Sequence, residues 1–264
     1  MGQAEEHWAE QLAAWEIPEE IRSQATADPW KLTPNLFRAP EPSDEQPDTP
    51  AVRRALEALG EAGTLLDVGV GGGAASLPLA PPATLVIATD ESDDMIRAFA
   101  ARARERKVPY RIYPGRWPDV ARAVPVADVV VSNHVFYNVP DLAAFALGLT
   151  AHARRRVVVE ITGRHPVTPS NRLWKHFWKV DRPEGPSADD AIAVLEEAGI
   201  RPHVERDVRP ARRPVAHEDM VAFLTRRLCL PPERQPEVEE ALVQFPPPTE
   251  REVVTLSWDG GVSG

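Results

Sequence analysis

The chain has 264 residues, 43% of them hydrophobic, which suffices for one folded core with appended helices. Its net charge of −10 argues against broad contact with nucleic acid, and no apolar run approaches the roughly 20 residues of a membrane span. Cys229 is the single cysteine, and the N-terminal sequence lacks signal-peptide features. We therefore expect a cytoplasmic protein without disulfides, a metal centre, a nucleic-acid partner or a membrane partner.

The first 47 residues are predicted to form an N-terminal helical cap. Trp8, Leu12 and Trp15 recur at helical spacing over residues 4–16, and Pro18 is typical of the first turn of a second helix. The aromatic residues of this segment either pack the helices onto the domain or roof a substrate pocket. A polar, proline-rich stretch then leads to the main domain, which we assign to residues 48–264.

A glycine-rich stretch organises the rest of the chain. The apolar run at residues 65–68 predicts a buried strand, and the glycines that follow predict a tight turn into a helix. Gly69 and Gly71 allow the backbone to approach a ligand closely, and Gly73 allows the helix to pack against the strand. Backbone N–H groups at such a turn suit an anion or a polar ligand, although a glycine-rich loop without a ligand is the alternative.

Two acidic residues sharpen this interpretation. Asp67 ends the first strand, and Asp90 ends a second apolar run about 20 residues after the glycines. A carboxylate at the second position can accept both hydroxyls of a ribose. The pattern therefore predicts a ligand that contains a nucleoside.

Two sequence runs carry a family resemblance. Residues 65–73, LLDVGVGGG, and residues 89–95, TDESDDM, resemble the class I S-adenosylmethionine-dependent methyltransferases. The resemblance covers residues 50–210 and implies an α/β fold with a doubly wound, seven-stranded, mostly parallel Rossmann-like sheet. It also implies S-adenosylmethionine as cofactor, with Asp67 near the methionine end, Asp90 at the ribose, and Glu91 as a further cofactor-binding residue.

The alternative is a nicotinamide-dependent oxidoreductase. Such proteins usually lack an acid at the position of Asp67 and have glycine where this chain has Ala74. The resemblance further implies that the loop after the third strand lines the adenine. Arg116 and Trp117 stand there, and Trp117 either stacks on the purine or packs in the core.

The fourth strand is predicted over residues 127–132, and the segment after it resembles the one that these methyltransferases place between cofactor and acceptor. The resemblance then implies Ser132 and Asn133 at the methionine end, with His134 and Tyr137 facing the acceptor. A histidine can receive a proton near neutral pH, which makes His134 a candidate base, although a purely structural histidine is the alternative.

His165 follows the fifth strand and rivals His134 as a base. It begins a run, residues 163–178, that mixes aromatic and polar side chains and suits either a small-molecule pocket or a helix covering the sheet. Metal binding by His165 and His176 is disfavoured because no acidic cluster completes a site.

The last part of the chain is predicted to contain a sixth strand, a helical insertion at about residues 212–248, and a final strand antiparallel to the fifth. The insertion either caps the site or forms the face of a homodimer. The sequence as a whole predicts a methyltransferase that acts on a small organic acceptor. A protein that binds the cofactor without methylating remains an alternative.

Overall fold

The computed structural model describes residues 2–30, 47–211 and 216–262. Seven strands form one sheet: Gly63–Val68 (β1), Ala83–Asp90 (β2), Tyr110–Pro114 (β3), Ala127–Asn133 (β4), Ala153–Thr162 (β5), His203–Pro210 (β6) and Glu250–Asp259 (β7). Their order is β3-β2-β1-β4-β5-β7-β6. Strands β1 to β5 pair in parallel, whereas β7 runs antiparallel to both β5 and β6. The predicted fold class is confirmed, including the antiparallel last strand beside the fifth.

The strand order reverses between β1 and β4. The chain moves outward from β1 through β2 to β3, and then crosses back so that β4 pairs with the other edge of β1. The crevice outside the carboxyl ends of the strands at such a point is where open α/β sheets bind ligands. This position brings the ends of β1, β2 and β4 together.

Helices flank the sheet in the described residues. They are Gln3–Ala13 (α1), Glu19–Arg22 (α2), Pro50–Leu59 (α3), Asp93–Glu105 (α4), Leu142–His152 (α5), Asn171–Trp178 (α6), Ala188–Glu197 (α7), His217–Arg227 (α8) and Gln235–Gln244 (α9). Four begin at side-chain caps, since Thr49, Ser92, Asp141 and Ser187 each accept a hydrogen bond from the first turn. Helix α2 ends at Arg22, earlier than the end at about Ala25 that the sequence predicts.

Both faces of the central strands are buried. Leu66 and Val130 belong to one hydrophobic core, and their neighbours Leu65, Val129 and Val131 belong to a second core across the sheet. This alternation follows from the two-residue period of a strand, because a sheet covered on both sides needs apolar residues at successive positions. Continuous apolar runs therefore mark β1 and β4 in the sequence.

The structure corrects one expectation, because no α-helix follows the glycine turn in the described residues. The described residues 69–82 form turns and one short 3-10 helix, Leu77–Leu79. Pro78, Pro81 and Pro82 lie in this stretch, and a proline cannot donate the backbone hydrogen bond that a helix interior requires. The polar groups of the turn consequently do not stand at the N-terminus of an α-helix.

The N-terminal helices pack as part of the domain. Trp8 is fully buried in the first core, and its indole Nε1 donates to the carbonyl of Val139 at 2.8 Å. Ile17 and Ile21 join a third core with residues of α6, α8 and α9. Parts of the predicted cap and insertion, residues 31–46 and 212–215, lie outside the described residues.

Candidate cofactor and acceptor site

The glycine turn lies at the carboxyl end of β1. Gly69, Gly71 and Gly73 have φ angles of 75°, 50° and 81°, in the region that side chains disfavour. A Cβ on Gly69 would lie 2.5 Å from the Val135 side chain, and one on Gly73 would crowd the second core. A Cβ on Gly71 would meet no atom of the described residues within 4 Å. Gly71 is therefore the glycine of this turn with open space beside it.

Asp67 is buried beneath this turn with a relative exposure of 1%. Neither carboxylate oxygen has a partner within hydrogen-bond geometry among the described residues, and the Ser76 hydroxyl, which lies close enough to influence Asp67, has none either. Burial raises the pKa of Asp67 to about 7; the Ser76 hydroxyl opposes this shift, and the charge of Asp90 adds to it. A buried carboxyl in this state would be stabilised by a cationic group placed against it.

Asp90 ends β2 and connects it to the turn. Its Oδ2 accepts a hydrogen bond from the backbone N–H of Gly71 at 2.9 Å, and its Oδ1 accepts from Ser92 at 2.9 Å. Each carboxylate oxygen retains a further lone pair, so the half-buried side chain can still accept from hydroxyl groups. Glu91 is exposed next to it.

The end of β4 contributes two adjacent polar residues. The hydroxyl of Ser132 is fully buried and donates to the carbonyl of Val68 at 2.9 Å, which ties β4 to β1. The Oδ1 atom of Asn133 is buried and has no partner among the described residues. Asp67, Ser76 and Asn133 thus leave unsatisfied acceptors around one turn, a costly arrangement unless a ligand completes it.

His134 follows immediately, with a φ angle of 60° and a side chain that is 41% exposed. Its backbone N–H donates to the carbonyl of Glu160 at 2.6 Å, and its Nε2 lies 3.3 Å from Glu160 Oε1. Nδ1 has no hydrogen bond to any described residue. Glu160 also pairs with Arg209, whose Nη1 lies 2.8 Å from Oε2. The backbone conformation is unusual for a residue other than glycine, and such positions are concentrated at functional sites.

Tyr137 and His165 occupy a packed aromatic group instead. The Tyr137 hydroxyl donates to the carbonyl of Thr162 at 2.7 Å, and its ring stacks on Trp8. The His165 ring stacks on Trp15 with 4.3 Å between centroids and contacts Tyr137 edge-on at 5.2 Å. Burial raises the pKa of Tyr137 and lowers that of His165 to about 3, with the positive charges of nearby arginines adding to the second shift. Both groups are therefore neutral near pH 7.

In the loop after β3, the ring of Trp117 is buried and does not face a ligand site. Trp117 is 5% exposed in the first core, donates to the Phe145 carbonyl at 3.3 Å, and lies edge-on to His152. This packing favours the core role over purine stacking. Arg116 is exposed.

Glu160, Arg209 and Ser76 were not among the residues singled out from the sequence. One signal pointed to Glu160, because it is the single acid inside the apolar run of β5, and acidic residues are rarely buried without a partner. Arg209 is separated from Glu160 by 49 residues, so nothing local links the two. Ser76 belongs to the glycine-rich stretch, but its burial depends on the unexpected turn.

In the part of the chain that the structure describes, no helix is long and apolar enough to cross a membrane. Nor does that part contain a group of three or more His, Cys, Asp or Glu side chains that could hold a metal ion.

Residues 66–154 match a family model described as a methyltransferase domain. A ubiquinone biosynthesis O-methyltransferase from Methylobacterium sp. (strain 4-46) is 36% identical over 91 residues, which are 34% of this chain and 36% of that protein. The chain therefore matches only about a third of the length of this curated relative. The match to the family model begins within β1 and ends at the start of β5, so it includes the glycine turn.

Two solved structures are similar in fold. The YcgJ protein of Bacillus subtilis superposes with a TM-score of 0.53 at 14% identity, over 81% of this chain and 99% of that chain. Magnesium protoporphyrin IX methyltransferase from Synechocystis PCC 6803, solved with bound S-adenosylhomocysteine, gives a TM-score of 0.50 at 16% identity, over 78% and 79% of the two chains. At these identities the likeness concerns the fold alone.

The sheet order and the ligand crevice at its reversal define a Rossmann-like methyltransferase fold. With the methyltransferase-domain match over residues 66–154 and the acids at the ends of β1 and β2, the chain is similar to the class I S-adenosylmethionine-dependent methyltransferases. These findings support the predicted enzyme class and cofactor over the nicotinamide-dependent alternative. The acceptors of the relatives do not transfer to this chain at such coverage.

Proposed function

We propose that the protein transfers the methyl group of S-adenosylmethionine to a hydroxyl oxygen of a small organic molecule. The observation that carries this proposal is the state of His134. Its ring is partly exposed at the carboxyl end of β4, its Nδ1 makes no hydrogen bond to a described residue, and its Nε2 faces a buried carboxylate. The name of the Methylobacterium relative, an O-methyltransferase, supports an oxygen acceptor.

The polar groups around the glycine turn fit this cofactor. Asp90 would bind the ribose hydroxyls, while Asp67 and Asn133 offer buried acceptors that suit the ammonium group of the methionine portion. Open space beside Gly71 allows close approach of a ligand to the backbone. When bound, the cofactor supplies an electrophilic methyl group on a sulfonium. The remaining cofactor assignments, Glu91, Arg116, Ser132 and the flanking glycines, stay predictions.

The proposed role of His134 follows from the acceptor. A neutral hydroxyl has to lose its proton as the new C–O bond forms, and a histidine within hydrogen-bond reach can receive that proton. An uncharged amine acceptor would attack without such help. Tyr137 and His165 serve this role less well, because each is buried and its pKa is displaced from neutrality.

The test uses the purified protein, S-adenosylmethionine and a panel of phenols, aliphatic alcohols, amines and thiols, with release of S-adenosylhomocysteine as the measurement. We expect turnover with a hydroxyl compound. The variant His134→Asn preserves the left-handed backbone, which asparagine tolerates. It should lower kcat by about 10²- to 10⁴-fold, the usual scale for loss of a general base. The affinity for S-adenosylhomocysteine should not change.

A matched control is His7→Asn, an exposed histidine of α1 that lies outside the strand ends. Turnover confined to amines or thiols, or full activity of His134→Asn with a phenol, would contradict the proposal. Binding of S-adenosylhomocysteine without turnover of any acceptor would instead support a cofactor-binding protein. Equal thermal stabilisation by NAD and by S-adenosylmethionine would challenge the cofactor assignment itself.

A further inference from the structure

Glu160 is an acid buried in β5, between β4 and β7. It lies near the end of β5, paired with Asn133 on β4 and with Thr255 on β7, and is 7% exposed. Placing a carboxylate there costs free energy unless charged partners compensate it. Its two side-chain oxygens have different partners, since Oε1 faces His134 and Oε2 pairs with Arg209 of β6. The Glu160 carboxylate therefore connects the partly exposed His134 ring to the Arg209 guanidinium.

His134 is held by Glu160 at two points. The backbone N–H of His134 donates to the Glu160 carbonyl, and the ring Nε2 lies near the Glu160 side chain. The first contact fixes the positive φ angle of His134, and the second fixes which edge of the ring faces inward. With a proton on Nε2 facing the carboxylate, Nδ1 is the nitrogen that carries a free lone pair.

We propose that Glu160 is a positioning residue for His134, and that Arg209 in turn fixes Glu160. The pair keeps Nδ1 unprotonated and directed away from the sheet, and it stabilises the imidazolium once a proton arrives. This inference rests on the proposed transfer to a hydroxyl acceptor. In that transfer the acceptor proton moves to Nδ1, and an oxygen electron pair forms the bond to the methyl carbon. The carbon–sulfur bond breaks with its electrons remaining on sulfur, so that neutral S-adenosylhomocysteine leaves.

The charges around Glu160 support an ionised carboxylate. Burial alone would raise the pKa of Glu160, but contact with His134 and the charge of Arg209 outweigh it and hold that pKa below its usual value. Arg251 of β7 adds a further positive charge nearby, and Asp207 pairs with the other side of Arg209 through Nε at 2.8 Å. The competing explanation is an ion pair that only ties β5 to β6.

The first test needs no acceptor. The tautomer of the His134 ring is read from its ¹⁵N chemical shifts by NMR, in protein labelled with ¹⁵N-histidine, and is compared between wild type and Glu160→Gln, with His134→Asn identifying the His134 signals. A carboxylate that faces Nε2 favours the tautomer with the proton on that nitrogen, so its removal should weaken the preference for this tautomer. Asp207→Asn is the control, because it changes the partner of Arg209 without touching His134. An unchanged tautomer in Glu160→Gln would overturn the inference.

The second test uses the hydroxyl compound that the wild type methylates fastest. Glu160→Gln should lower kcat by about 10- to 100-fold, with KM and S-adenosylhomocysteine affinity within about twofold, because an oriented and stabilised base is lost while binding is retained. Glu160→Asp should recover part of the rate. In the His134→Asn background the same change should cost nothing further.

The two proposals fail differently. If His134→Asn is inactive but Glu160→Gln keeps the wild-type tautomer and turnover, the base remains and the positioning role is wrong. If no hydroxyl compound is methylated while the His134 tautomer changes as expected, the contact is real and the proposed function is wrong. An equal loss in both backgrounds would mean that Glu160 acts only through strand pairing.

Discussion

The two halves of the strand-end crevice differ in how closely their polar residues are packed. Around β1 and β2, Asp67 and Ser76 are buried without partners in the described residues, beside open space at Gly71. Beyond β5, Tyr137 and Trp15 have satisfied hydrogen bonds, and the rings of Trp8, Tyr137, His165 and Trp15 contact one another in turn. His165 Nδ1 is also buried without a partner in the described residues, but aromatic rings pack around it, whereas the first half has open space for a ligand.

The difference separates two kinds of residue that look equally functional in a sequence. A histidine or tyrosine after a strand draws attention as a candidate catalytic residue. In this structure, however, Tyr137 and His165 are buried by packing against Trp8 and Trp15 of the N-terminal segment. An aspartate inside an apolar run draws less attention than the glycines after it, yet both of its oxygens are buried without a partner among the described residues, close to open space at Gly71. Unsatisfied buried polar groups beside open space therefore indicate the cofactor side more directly than residue type does.

The largest expected effect tests the packed half. Trp8→Ala should lower the free energy of unfolding by about 3–5 kcal/mol, because it removes a fully buried aromatic ring and its hydrogen bond to Val139. Urea denaturation measures this change. Trp30→Ala is the control, since that ring is 40% exposed, and its effect should be much smaller. A stable Trp8→Ala protein with weakened acceptor binding would show instead that α1 roofs a pocket.

The second prediction tests the half with open space through Asp67. Its pKa is about 7 in the ligand-free folded protein, against a reference of 3.8, so the folded state binds the proton more tightly. Stability from this group is fully present below about pH 4 and is lost as pH rises through about 7. Asp67→Asn removes this dependence and should stabilise the ligand-free protein at pH 8, relative to pH 4, by up to about 4 kcal/mol.

The same substitution should weaken S-adenosylhomocysteine binding, since it removes the buried carboxylate from the site. Thermal and urea unfolding at several pH values, with calorimetry of binding, measure both effects. Asp93→Asn, at an exposed position of α4, is the control. A wild-type stability curve parallel to that of Asp67→Asn would mean that Asp67 has a partner and that the contrast between the halves is overstated.

The third prediction concerns the ribose. Asp90→Ala should weaken S-adenosylhomocysteine binding by about 1.5–3 kcal/mol, the scale for a charged hydrogen-bonding group. Part of this loss would come through the turn, because Asp90 also accepts from Gly71. Asp94→Ala, at an exposed residue paired with Arg97, controls for net charge. Calorimetry that gives equal affinities for the wild type and Asp90→Ala would remove the ribose assignment.

The sequence predicted the strands better than the details of the site. Buried parallel strands have apolar runs that end in recognisable acids and glycines, so β1, β2 and β4 were located within a few residues. The helix after the glycines, expected to be short because Pro78, Pro81 and Pro82 limit it, is only the 3-10 helix Leu77–Leu79. Glu160 and Arg209 meet only through the sheet, since β7 lies between their strands in space while far from both in sequence. Long-range pairing of this kind leaves no local signal.

The smallest expected effect concerns His165, the residue that the sequence offered as rival base. Burial lowers its pKa to about 3, with Arg227 and Arg182 acting in the same direction, whereas an unfolded histidine titrates near 6.5. The folded protein therefore keeps the contribution of this neutral ring above about pH 6.5 and loses it as pH falls toward 3. His165→Gln should abolish that loss, so its stability relative to the wild type should rise by about 1 kcal/mol between pH 7.5 and pH 5.5.

Urea denaturation at the two pH values measures this difference, and His176→Gln, at an exposed histidine of α6, provides the control. Methyl transfer by His165→Gln should stay within about threefold of the wild type at pH 7.5, because a ring with so low a pKa binds a proton too weakly to act as the base. A constant stability difference across the two pH values, combined with loss of activity in His165→Gln alone, would transfer the role of base from His134 to His165. The packed half would then hold the reactive residue, and its aromatic contacts would have to open before an acceptor could reach it.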